Sequence, residues 1–90
     1  MNLRTFTAIR IASIIIYRIQ FDVTVDKNNN DVLFTDISND YRPKYNYYAL
    51  VQAGGGAPKT IGVKPDGTIV AGGSGVSTGN WYTGTIVATC

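Results

Sequence analysis

The side chains that most often carry acid–base and nucleophilic chemistry are scarce in this 90-residue chain: there is no histidine, all six acidic residues are aspartate, and Cys90 is the single cysteine. Without imidazole there is no ordinary Ser–His or Cys–His pair. Any carboxylate pair must come from Asp alone. Asp22 and Asp26 fall on alternate polar positions, and Asp31, Asp36 and Asp40 lie in or beside turns, where Asp bonds its own backbone. Asp26, Asn28 and Asn30 have the alternate spacing that opens a calcium loop, but the central Gly and the distal bidentate carboxylate are missing. The segment therefore reads as a turn. Gly54-Gly55-Gly56 lacks the Lys-Ser or Lys-Thr of a phosphate loop and reads as a flexible connection. One possible thiolate and no imidazole leave no set for structural zinc. These residues predict no cofactor and no metal, and a binding or assembly module rather than an enzyme.

The aromatic side chains offer more. Tyr45, Tyr47, Tyr48, Trp81 and Tyr82 fall within two segments. Tyrosine and tryptophan combine a flat apolar face with a polar edge, which suits stacking on sugar rings and packing between subunits. Tyr47, Tyr48, Asn80, Trp81 and Tyr82 are the candidate ligand contacts. In a strand, alternation sends one of Trp81 and Tyr82 inward and the other outward. Trp81 is also a candidate for the core or a subunit contact.

The elements that position these residues read as strands. Odd positions from Leu3 to Val25 are largely apolar or β-branched, and even positions from Arg18 to Asp26 are polar. This period of two indicates half-buried strands. One strand of that length is too long, so a break is placed at Ala12-Ser13, giving strands near Thr5–Ile11 and Ile14–Val25. Further strands are expected at Val32–Ile37, Tyr45–Ala53, Thr60–Lys64, Thr68–Ala71 and Trp81–Thr89. Pro65-Asp66-Gly67 supplies a hairpin turn, with Gly67 at positive φ. Seven short strands separated by turn signals predict an all-β fold, a small antiparallel β-sandwich, as one domain over residues 1–90.

Composition narrows the partners. The net charge is +2, and the basic residues are scattered, which argues against nucleic acid. The apolar run Ile11–Tyr17 is too short to span a bilayer, so membrane insertion is not expected. A chain of this size with neither disulfide nor metal gains from a partner subunit. If the odd side chains of Ile14–Val25 fill the core, Ile14 and Ile16 point the other way with Ala12. Ile14, Ile16 and Trp81 are accordingly the candidate oligomer contacts.

The order of motifs resembles the small β domains that head the tail-fibre, baseplate and receptor-binding proteins of bacteriophages. The shared layout is a hairpin with Ile14–Val25, a short apolar strand Val32–Ile37, a Tyr41-Arg42-Pro43 corner, the hairpin Ile61-Gly-Val-Lys-Pro-Asp-Gly-Thr-Ile69, and a last strand opening on Trp81-Tyr82. It spans about Ile9 to Thr89. The hairpin corner departs from the family's Gly-Asp or Gly-Asn, being Ala12-Ser13 here. The resemblance implies a β-sandwich head, commonly a homotrimer, at the virion tail tip. Its implied partners are a host cell-surface saccharide and other tail proteins. Two alternatives stand beside it: a structural or decoration protein of the virion without ligand, and a free-standing carbohydrate-binding module.

Overall fold

Seven antiparallel strands follow one another in the chain: β1 Asn2–Ile11, β2 Ile14–Asp22, β3 Val32–Phe34, β4 Tyr47–Ala53, β5 Lys59–Val63, β6 Ile69–Ala71 and β7 Trp81–Thr89. The computed structural model describes Met1 to Cys90. The only helical element is a single 3-10 turn, Asn39–Tyr41. The strands form one sheet in the order β1-β2-β7-β4-β5-β6-β3. The sheet curls on itself, so that Phe21 of β2 meets the ring of Phe34 of β3 edge-on at 5.6 Å. The all-β, seven-stranded architecture is thus as expected, with the two layers of the sandwich made from one continuous curled sheet.

The core is a cluster of 16 buried residues. β2 supplies Ile15, Tyr17, Ile19 and Phe21 from its odd positions, and β7 supplies Tyr82, Ile86 and Ala88 from its even ones. Each fully buried Ile, Val or Phe side chain is worth about 1.5–3 kcal/mol relative to exposure. Phe21 stacks on Tyr82 at 5.6 Å, and Phe6 of β1 lies over Tyr17 at 6.1 Å.

Two expectations need correction. The odd positions do not stay on one face. Ala12 and Ser13 form a two-residue turn that pairs Ile11 with Ile14, so positions 11 and 14 share a face and parity reverses across the hairpin. β1 therefore turns Phe6 and Ala8 inward and Ile9 and Ile11 outward. A bulge at Arg4 reverses parity again, so that Leu3 and Phe6 line the same cleft. Several strands are also shorter than expected. β2 ends at Asp22, which leaves Val25 exposed. β3 ends at Phe34, because Asp36 takes a φ of 68° that no strand accommodates.

The Tyr41-Arg42-Pro43 corner is part of the framework. Pro43 is buried, and the Tyr17 hydroxyl donates to the Tyr41 carbonyl. Burial, and then the nearby Cys90, push the Tyr17 phenol up to about 12. Arg42 donates from Nε to the Ile37 carbonyl at 2.8 Å and lies over Gly67, whose φ is 85°. On the far side of the same turn, Asp66 accepts from the Thr68 hydroxyl and amide, and these two bonds hold its carboxyl below the usual carboxylate range. Asp26 is held in the same way by the Thr78 amide and hydroxyl, which lowers its pKa and ties the 26–31 turn to the loop before β7.

Candidate functional site

The outer face of β1, β2 and β7 is a regular ladder of cross-strand rows. From one end these rows are Asn2–Asp22–Trp81, Thr5–Gln20–Thr83, Thr7–Arg18–Thr85, Ile9–Ile16–Val87 and Ile11–Ile14–Thr89. β4 extends the second row, because Gln52 pairs with Thr83. The ladder therefore divides by chemistry. Three rows are polar or amphipathic and two are aliphatic.

The polar part is concave. Thr5, Arg18, Gln20, Gln52, Thr83 and Thr85 line a groove of about 290 Å³ whose floor includes Ile19 and Gly84. At Gly84, β7 packs on Val51 of β4 without room for a side chain: a Cβ there would stand 2.5 Å from a methyl of Val51. None of the six polar side chains is spent on a hydrogen bond within the chain. The side-chain bonds lie elsewhere, among Arg4–Asp22, Asp26–Thr78, Lys59–Ser74 and Asp66–Thr68. The groove thus presents two amides that both donate and accept, three hydroxyls, and one guanidinium with five donors. Arg18 is its only charged residue. Asp22, one row away, is already paired with Arg4 at 2.7 Å.

Trp81 stands at the end of this groove, two residues from Thr83 along β7. It is 38% exposed. Its indole lies against Gly54, two residues beyond Gln52 on β4, where a Cβ would fall 2.0 Å from Cε2 and Nε1. The Gly54 amide also donates to the Trp81 carbonyl at 2.9 Å. The glycine at the head of the 54–56 loop thus leaves room for the ring to lie flat beside the groove.

The candidate contacts do not form one site. Trp81 faces outward and borders the groove. Tyr82 is buried in the core and is removed from the ligand set; alternation sends it, not Trp81, inward. Tyr47 is half-buried on the inner face, packed against the core with its hydroxyl paired to that of Thr89, and so lies apart from the groove. Asn80 is half-buried before β7, and its carbonyl accepts from the Val23 amide at 2.9 Å. Tyr48 is exposed, but its ring rests on Gly62 of β5, away from the groove lining. Of the oligomer candidates, Ile14 and Ile16 are neighbours on the aliphatic rows, whereas Trp81 is six residues from Val87, or about 20 Å along the strand. Ile9 and Ile11 belong with Ile14 and Ile16. The two-residue turn was the signal that could have found them.

A second concavity of about 230 Å³ opens between the two edge strands, β1 and β3, where the curled sheet does not close. Leu3, Phe6, Phe34, Ile37 and Ile69 make it mostly apolar. Its two polar residues, Thr35 and Asp36, are neighbours whose side chains bond each other at 3.0 Å, with the Thr35 hydroxyl donating. No three metal-ligating side chains converge anywhere in the chain. No protein-family model matches the chain, and no curated protein matches its sequence.

Proposed function

We propose that the protein is a saccharide-binding attachment module of a phage virion, acting at the tail tip on a host cell-surface glycan. The observation that carries the saccharide reading is the groove: six polar side chains with free hydrogen-bonding capacity beside an exposed indole. Sugars present adjacent hydroxyls that donate and accept, and a ring face of C–H groups that packs on an aromatic plane. Gln20 and Gln52 suit vicinal hydroxyls, Thr5, Thr83 and Thr85 suit single ones, and Trp81 suits the ring. Arg18 has no acidic partner, so sugars bearing a carboxylate are favoured over neutral ones. The virion setting rests on the resemblance in motif order.

A glycan array on the purified protein, run beside Trp81→Ala and Gln52→Ala, tests the reading. Binding to a subset of acidic surface glycans, lost in both variants, is the expected result. An array on which the folded wild-type protein binds nothing removes the saccharide reading and leaves the ligand-free structural role. Binding that survives both substitutions moves the site off the groove.

A further inference from the structure

The aliphatic end of the outer ladder is unexplained by the groove. Ile9, Ile11, Ile14 and Val87 are 54%, 63%, 45% and 59% exposed, and Ile16 between them is half-buried. Cross-strand register makes these five one contiguous area: Ile9 pairs with Ile16, Ile16 with Val87, and Ile11 with Ile14. Isolated exposed hydrophobic residues need no explanation, but five in register do. We propose that this face is the contact by which two copies of the chain pair, patch against patch about a twofold axis. The inference is independent of the saccharide reading, and it departs from the threefold assembly that the motif resemblance implies.

Area and shape support a second copy as the occupant. The patch offers on the order of 400 Å² of apolar surface per copy, so a matched pair removes roughly 800 Å² from water. Interfaces are about 56–65% apolar, so that amount implies a total near 1,300 Å² once a polar rim is included, within the range of stable complexes. Thr7, Ser13 and Thr89 are placed to form the rim. The five side chains carry no charge to desolvate. An isologous contact sets the same patch on both copies, so these aliphatic rows would meet aliphatic rows. A net charge of +2 sets only weak repulsion between copies. An anionic bilayer is less well matched. Arg18, on the adjoining row, is the one cation in the outer rows beside the patch, and Arg10 of β1 donates to the Ala12 and Asp40 carbonyls rather than completing a collar around it.

The position of the patch gives the pairing a consequence. The row Ile9–Ile16–Val87 follows directly on Thr7–Arg18–Thr85, so the contact ends where the groove begins. With the twofold axis running across the strands, a pair would leave both grooves open, one beyond each end of the contact. Two linked sites raise avidity without any new contact to the ligand.

Sedimentation equilibrium of the wild-type protein across the micromolar range tests the pairing, alongside Ile9→Asp, Ile11→Asp and, on the other half of the sheet, Thr60→Asp. The expected result is a wild-type dimer, retained in Thr60→Asp. Association should weaken roughly 100-fold or more in each isoleucine variant, because each places two carboxylates in a desolvated contact. Circular dichroism should be unchanged in all of them, since Ile9 and Ile11 contribute to the surface and not to the core. A monomeric wild type at high micromolar concentration overturns the proposal, whether or not it binds anionic vesicles. A dimer indifferent to both isoleucine substitutions also overturns it, and a wild-type trimer overturns the twofold pairing.

Discussion

Replacing Gly54 by alanine probes the aromatic end of the groove without removing the aromatic group. An ideal Cβ at position 54 stands 2.0 Å from Cε2 and Nε1 of Trp81 and 2.6 Å from Cδ1. Carbon atoms at ordinary contact are about 3.5 Å apart, so the indole must move by about 1.5 Å or turn away altogether. The ring is a partly exposed side chain at a strand end and can yield. Gly54 is itself exposed and does not hold a positive φ. The fold should therefore lose little, under about 1 kcal/mol, or at most several degrees of melting temperature. Trp81 is the only tryptophan, so its fluorescence reports this change alone. The expected outcome is a shifted emission maximum and a displaced indole N–H resonance in Gly54→Ala, a near-wild-type melting temperature, and glycan binding weakened about tenfold. Unchanged emission and an unchanged indole resonance would refute the placement of the ring against Gly54. A changed ring with undiminished glycan binding would refute its role in the site.

Gly67→Ala should be more damaging to the fold. A φ of 85° costs an L-residue roughly 1–2 kcal/mol, and the new Cβ, 2.7 Å from Arg42 Nε, displaces the bond to Ile37 for about 1 more. Chemical denaturation should give a loss of about 2–3 kcal/mol, and a loss under about 0.5 would mean that the turn relaxes freely. Ala12 takes a φ of 54° in the β1–β2 turn, so Ala12→Gly should raise the melting temperature by a few degrees; a fall would show that the methyl makes a contact worth more than the strain. Tyr17 has a folded pKa raised to about 12, above its ordinary value near 10. Its contribution is therefore complete below pH 10 and is lost as pH rises through 12. Tyr17→Phe should be less stable at neutral pH and lack that alkaline loss. An identical alkaline profile in the two proteins would argue against a buried Tyr17.

Strand identity was legible because it is local. The Trp81–Thr89 strand has the expected bounds, and the break at Ala12-Ser13 lies where the turn is. Facing was harder. Whether Ile9 shares a side with Ile15 or Ile16 depends on a turn length of two, and whether Leu3 joins Phe6 depends on a bulge that no residue type announces. The groove was least legible. Gln20 and Gln52 are 32 positions apart and meet the same groove only because β7, the last strand, inserts between β2 and β4. Arg18, Gln20 and Thr83 look like any solvated strand face until that order is known. The tyrosines drew notice by type, but Tyr47 and Tyr82 serve the framework.

Saccharide binding in the outer-face groove can be followed residue by residue through amide and indole resonance mapping. The isotopically labelled protein would be titrated with acidic oligosaccharides from bacterial capsule and lipopolysaccharide. Progressive, saturable shifts confined to Arg18, Gln20, Gln52, Thr83 and the Trp81 indole are predicted. Shifts centred on Tyr45 and Tyr48, on the apolar cleft between β1 and β3, or nowhere in the folded protein would contradict the claim.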